Sequence, residues 1–254
     1  MHQLRLFFIA LQFFTRLPIP GWVGFDPAWL QHASRYFPLI GVVVAAAAAG
    51  VYAAAAMLWP PAVAALLSTA AGIYLTGAFH EDGFADTCDG FGGGMTPERV
   101  MEIMKDSRIG TYGAVGMGLI VALKCALLAT LPPAGAVAAL FVAHPLSRLA
   151  AVSLIWRLDY ARSEGKAKPM AQTMSGAEFA IAALCAAVPA LAAGVSGHAS
   201  WVALGAGATA AAIAAIWLGA KFTRRIGGYT GDCLGAVQQV SEVAIYLCVL
   251  AAWR

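Results

Sequence analysis

Apolar stretches long enough to cross a lipid bilayer recur along this chain, and that recurrence limits its fold more than any other feature. A helix needs roughly 20 apolar residues to span the hydrocarbon core. Runs of about that length cover Leu39–Trp59, Ala62–Phe79, Gly113–Leu131, Ala134–Trp156, Ala177–Val195, Trp201–Gly219 and Leu234–Trp253. They predict an all-α, polytopic membrane bundle of about seven transmembrane helices, with residues 1–254 as one integral membrane domain. Composition agrees: 61% of residues are apolar and 11% charged, where a soluble domain is about one quarter charged. The lipid bilayer is therefore the expected partner. Nothing in the chain points to nucleic acid, and a homo-oligomer is left open. The five cysteines form no C-x-x-C pair, which argues against a disulfide framework or a zinc site.

The connectors alternate in charge. Pro60-Pro61, Pro132-Pro133 and Ser196-Gly197-His198-Ala199-Ser200 carry no Lys or Arg. Thirteen of the sixteen basic residues fall on the opposite side, among them Arg35, Arg99, Lys105, Arg108, Arg157, Arg162, Lys166, Lys168, Lys221, Arg224 and Arg225. The positive-inside rule makes that side cytoplasmic. The N-terminal stretch lacks a small-residue cleavage site, so it does not read as a cleaved signal. Leu4–Phe14, too short to span, with Phe7, Phe8, Phe13 and Phe14 between Arg5 and Arg16, suits either a short interfacial helix or a helix packed on the bundle.

Of thirteen acidic residues, four lie between positions 81 and 89, directly after the second apolar run: His80-Glu81-Asp82-Gly83-Phe84-Ala85-Asp86-Thr87-Cys88-Asp89. Acids at the end of a lipid-soluble segment are costly without compensation. Asp82, Asp86 and Asp89 stand at i, i+4 and i+7, and on a helix continuing out of the second span they share a face. Such acids would sit at a helix C-terminus, where the dipole disfavours them. A divalent ion reverses their mutual repulsion, and oxygen-only ligands select Mg²⁺ or Mn²⁺ over zinc. The expected metal ligands are Asp82, Asp86 and Asp89, with His80 and Glu81 as further or supporting ligands.

The segment that follows suits phosphate. Gly92-Gly93-Gly94 reads as a turn, and Thr96-Pro97-Glu98 as the start of a short helix with Val100, Ile103 and Met104 on one face. In Lys105-Asp106-Ser107-Arg108, the cations can bind phosphate and Asp106 can add a metal ligand. Residues 80–112 thus form the expected catalytic loop. Gly227-Gly228-Tyr229-Thr230-Gly231-Asp232 reads equally as a phosphate or metal turn and as a capped loop. Away from the ends of the spans, Lys124, Arg148 and Glu242 are the only charges, with His144 near Arg148. Equal depth and opposite sign predict that Arg148 and Glu242 meet, or share one polar pocket. Lys124 lies nearer the midplane, and Glu242 counts as too shallow to partner it.

The acidic block, Lys105-Asp106-Ser107-Arg108-Ile109-Gly110-Thr111-Tyr112-Gly113, Thr15-Arg16-Leu17-Pro18-Ile19-Pro20, Phe37-Pro38-Leu39-Ile40-Gly41 and Gly228-Tyr229-Thr230-Gly231-Asp232-Cys233-Leu234-Gly235 together resemble the signature of the cobalamin synthase family, in order and end to end. The resemblance implies a Mg²⁺-dependent transferase in the bacterial cytoplasmic (inner) membrane. It would join α-ribazole, or its 5′-phosphate, to adenosylcobinamide-GDP and release GMP. On that reading Asp82, Asp86, Asp89 and Asp106 hold metal. Arg99, Lys105, Arg108 and Thr230 bind substrate, and Glu81, His80 and Asp232 serve catalysis, Glu81 or His80 taking the attacking hydroxyl's proton. Two rivals are a CDP-alcohol phosphotransferase, whose expected Arg after the first Asp-Gly is missing here, and an ion-coupled transporter, favoured by the charges within the spans.

Overall fold

The computed structural model describes residues 1–24, 26–161 and 172–253. Arg162, Lys166, Lys168 and Arg254, used in the charge count, lie outside them. The described residues contain eleven α-helices and no strand. They are α1 (His2–Phe14), α2 (Pro27–Ala33), α3 (Phe37–Ala56), α4 (Pro61–Thr76), α5 (Phe79–Gly93), α6 (Pro97–Ile103), α7 (Thr111–Thr130), α8 (Pro133–Arg157), α9 (Gly176–Val195), α10 (Trp201–Ile226) and α11 (Gly231–Ala251).

Among the described residues, six stretches are long and apolar enough to cross a membrane: Ala28–Ala56, Thr111–Thr130, Pro133–Arg157, Gly176–Val195, Trp201–Ile226 and Gly231–Ala251. The seventh expected span is broken. After α4 the chain turns through 90° at Gly77 and Ala78 and restarts as α5. Both residues are left-handed, at φ 64° and 60°. Glycine tolerates this, whereas Ala78 bears a Cβ that the conformation crowds. The acidic helix therefore does not continue the second span.

Most of the core is small. Ala45, Ala48, Ala64, Ala65, Ala136, Ala139, Ala143 and Ala182 are almost wholly buried, as close helix approach in lipid requires. α8 and α11 are the central helices, α8 packing on α3, α9, α10 and α11. α1 is packed on the bundle: Leu6, Ile9, Ala10, Leu11 and Phe14 are buried, while Leu4 and Phe13 stay exposed. The packing reading is borne out, and the apolar outer edge is compatible with an interfacial position as well.

The short helix forms as its sequence dictates. Thr96 caps α6 by accepting from the Arg99 amide at 3.3 Å, Pro97 opens it, and Val100 and Met104 are buried. Gly92 and Gly93, expected in a turn, are the last residues of α5 instead.

Candidate functional site

The break at Gly77–Ala78 changes the electrostatics of the acidic block. Glu81 and Asp82 stand in the first turn of α5, at the positive end of its dipole, where carboxylates are favoured. The expectation of acids at a helix C-terminus is overturned. α5 runs unbroken through Gly83 and Gly90. Asp82 is exposed and Asp86 half-buried, one helical turn apart. A Cβ on Gly83 would stand 2.9 Å from the Asp232 Cα. Only glycine permits this backbone approach, which brings the N-terminus of α11, and Asp232 with it, to the turn of α5 carrying Asp82 and Asp86. Asp232 also accepts from the Thr230 hydroxyl at 3.3 Å.

Three expected ligands have other partners. Asp89 is buried, and its two oxygens accept from the backbone amides of Gly110, at 2.7 Å, and Gly113, at 2.8 Å. It caps α7 from across the site, and any Cβ at Gly110 or Gly113 would fall 2.4 Å from its oxygens. The i+7 spacing put Asp89 on the metal face; the orphan amides of a helix start claim it. Asp106 is paired with Arg108, whose Nε and Nη2 donate to its carboxylate at 3.0 and 2.6 Å. Those bonds hold the Asp106 carboxyl down at about 2. Thr230, expected to touch substrate, is fully buried and caps α11 by accepting from the Cys233 amide at 3.4 Å.

Among the expected phosphate cations, Lys105 is exposed and Arg99 forms a surface pair with Glu102 at 2.7 Å. Lys221 and Arg225, at the C-terminal end of α10, pack against the far end of α5. Their charged groups stand 5.5 and 5.8 Å from the Phe91 ring, and Arg225 Nη2 donates to the Gly94 carbonyl at 2.5 Å.

His80 and Glu81 face inward. The His80 ring is buried and stacks on Phe14 at 5.2 Å. Both residues line a cavity between α3, α4, α5, α7, α8 and α11, bordered also by Lys124, His144, Arg148, Gln238, Gln239, Glu242 and Tyr246. Water centres have about 30 Å³ there, room for a water or two and not for a nucleotide.

Arg148 and Glu242 share this pocket, as expected. Glu242, however, pairs with Lys124 at 3.2 Å and lies 3.7 Å from His144, while Arg148 Nη1 donates to the His144 carbonyl at 3.0 Å. The depth count that excluded Lys124 started α11 too late. From Gly231, Glu242 is eleven residues in, against thirteen for Lys124 in α7, a difference of about 3 Å that the lysine arm covers.

The residues can be tested against the expected Mg²⁺. Among the described residues no three His, Cys, Asp or Glu side chains converge to hold a metal, so the four-aspartate set is not assembled. Mg²⁺ at a diphosphate needs less: one or two carboxylates, with phosphate oxygens and waters completing the octahedron. Asp82 and Asp86 fit that requirement by oxygen chemistry and spacing on α5.

A multi-pass helical bundle with carboxylates on a transverse helix, beside basic loop residues, defines a polytopic membrane enzyme. The chain belongs to the cobalamin-5-phosphate synthase family, whose model matches residues 6–250. Similar proteins include the adenosylcobinamide-GDP ribazoletransferases of Leptothrix cholodnii (47% identical, 99% of this chain and 97% of the relative), Shewanella frigidimarina (46%, 99% and 96%) and Ralstonia nicotianae (49%, 98% and 95%). No solved structure matches.

Proposed function

We propose that this chain joins α-ribazole, or its 5′-phosphate, to adenosylcobinamide-GDP with release of GMP, on the cytoplasmic face of the bacterial inner membrane. The names of its relatives support the reaction. The charge asymmetry of the connectors supports the face, since the acidic helix stands at the end where the Lys- and Arg-bearing loops gather. The single observation that carries the reading is the docking of Asp232 against Gly83, beside Asp82 and Asp86.

Phosphoryl transfer depends on aligning two reactants and neutralising the charge of the anhydride. Mg²⁺ held by Asp82 and Asp86 supplies that neutralisation when bound. Lys105, Arg99 and Arg108 steer the diphosphate toward the same face. Asp232 takes the proton of the attacking ribose hydroxyl. The oxygen of that hydroxyl bonds to the phosphorus attached to cobinamide, and the bond from that phosphorus to GMP breaks. In this reading Asp232 takes the proton in place of Glu81 or His80, since His80 is buried against Phe14 and Glu81 accepts from Gln239.

The test measures GMP release by purified enzyme in detergent across a Mg²⁺ titration. Asp82→Asn and Asp86→Asn are expected to raise half-maximal Mg²⁺ at least tenfold, and Asp232→Asn to lower kcat at least a hundredfold. Unchanged kinetics in all three would end the assignment, and absence of GMP release from the unmodified enzyme would end the reaction itself.

A further inference from the structure

Behind the acidic face runs a hydrogen-bonded ladder that the proposed transfer does not use. Glu242, buried in α11, accepts from Lys124 Nζ of α7 at 3.2 Å and from the Tyr246 hydroxyl at 3.1 Å. Its other oxygen accepts from Gln238 Nε2 at 2.5 Å. Gln238 Nε2 also donates to Ser147 Oγ of α8 at 3.2 Å. Gln238 Oε1 accepts from Gln239 Nε2 at 2.9 Å, and Gln239 Nε2 donates in turn to Glu81 Oε1 of α5 at 2.9 Å.

The direction of the ladder is fixed. Each amide nitrogen has two hydrogens, and both amides use both. Flipping either amide would set oxygen against oxygen. Lys124, Glu242, Gln238 and Gln239 are all at least nine-tenths buried, in a bundle where lipid offers no competing donors. Polar groups within a span are costly and mark function by default. The adjoining cavity has room for a water or two beside these groups.

The ladder ends on the residue next to Asp82. It ties α5, which carries Asp82 and Asp86, to α11, which carries Asp232, and anchors both to α7 and α8. We infer that Gln239 and Glu81 are positioning residues: their hydrogen bond sets α5 on α11 and so fixes Asp82 and Asp86 relative to Asp232. This rests on the reading above that those aspartates form the reacting face. Glu81 acts here as an acceptor of one hydrogen bond, not as an acid or base, and a glutamine carbonyl in its place would accept the same bond.

That substitution makes the inference testable. Glu81→Gln, Glu81→Leu, Gln239→Leu and the double leucine variant are compared for kcat, KM and melting temperature in detergent. Glu81→Gln is expected within about fivefold of the unmodified kcat. Each leucine variant is expected to lose about 10–100-fold in kcat with KM within threefold, because a small misplacement of catalytic groups costs that much. The double variant is expected to be no worse than the poorer single, since both act through one bond. A Glu81→Gln variant as inactive as Glu81→Leu would overturn the inference and give the carboxylate a chemical role. Leucine variants as active as the parent would overturn it as well. Should Gln239→Leu fold poorly, the two Glu81 variants decide alone. Loss of the proposed reaction itself would appear separately, as absent GMP release or full activity in Asp232→Asn.

Discussion

Replacing Asp89 with Asn separates its two readings as metal ligand and as helix cap. The carboxylate accepts two backbone amides at 2.7 and 2.8 Å, and hydrogen bonds to a charged group contribute about 1.5–3 kcal/mol each. Asparagine keeps one acceptor and turns an NH₂ toward the second amide, so one of the two bonds is lost. The charge at the start of α7 goes too, adding about 0.3–1 kcal/mol. The expected loss is about 2–4 kcal/mol. At roughly 2–4 °C per kcal/mol for a chain of this size, the melting temperature in detergent should fall by roughly 4–16 °C. Half-maximal Mg²⁺ in the GMP-release assay should stay where it was. Asp82→Asn should do the reverse, leaving melting nearly unchanged and raising the Mg²⁺ requirement. An Asp89→Asn enzyme that melts like the parent and needs more Mg²⁺ would refute the capping argument and return Asp89 to the metal.

Other outcomes follow from single geometric features. Ala78→Gly relieves a left-handed alanine and should stabilise by about 0.5–1 kcal/mol, less than the full strain because glycine also loosens the unfolded chain; a destabilised variant in thermal melts would show that the alanine is unstrained. Gly83→Ala puts a methyl 2.9 Å from the Asp232 Cα, so kcat should fall at least tenfold as α11 is pushed off α5, and an unaffected kcat would disprove the close docking. Lys124→Met and Glu242→Gln, which each break the buried pair, should cost about 3–5 kcal/mol singly. The double variant should recover at least about 2 kcal/mol of the summed loss, whereas strictly additive melting shifts would show that the pair does not interact.

Much of the framework was legible from run length and capping chemistry. Six of the seven apolar runs are continuous helices, and Thr96-Pro97-Glu98 opens α6 as its residue types require. The seventh misled because apolar residues continue through Gly77 and Ala78, and nothing about an alanine announces a left-handed turn. Asp82 and Asp86 were readable as a pair because both lie within one helical turn. The amide partners of Asp89, Gly110 and Gly113, were not legible because they are distant in sequence, and helical spacing knows only its own helix. Gln238 and Gln239 escaped a search of the spans for charges. Their signal was present: Gln238 stands four residues before Glu242 in a largely apolar helix, a spacing at which side chains meet.

The right-angle break also bears on how deep the proposed site would lie. α4 has 16 residues, about 24 Å of helix, against a hydrocarbon core about 30 Å thick. The shortfall of about 6 Å is hydrophobic mismatch, met by thinning the bilayer or by drawing α5 below the headgroups. With α4 alone as the seventh crossing, the proposed reacting face would lie sunk in the lipid surface, and tail length would become a control on catalysis. In vesicles of otherwise constant composition, activity should peak with short-chain lipids and decline as the bilayer thickens; a rate indifferent to thickness would place α5 clear of the membrane.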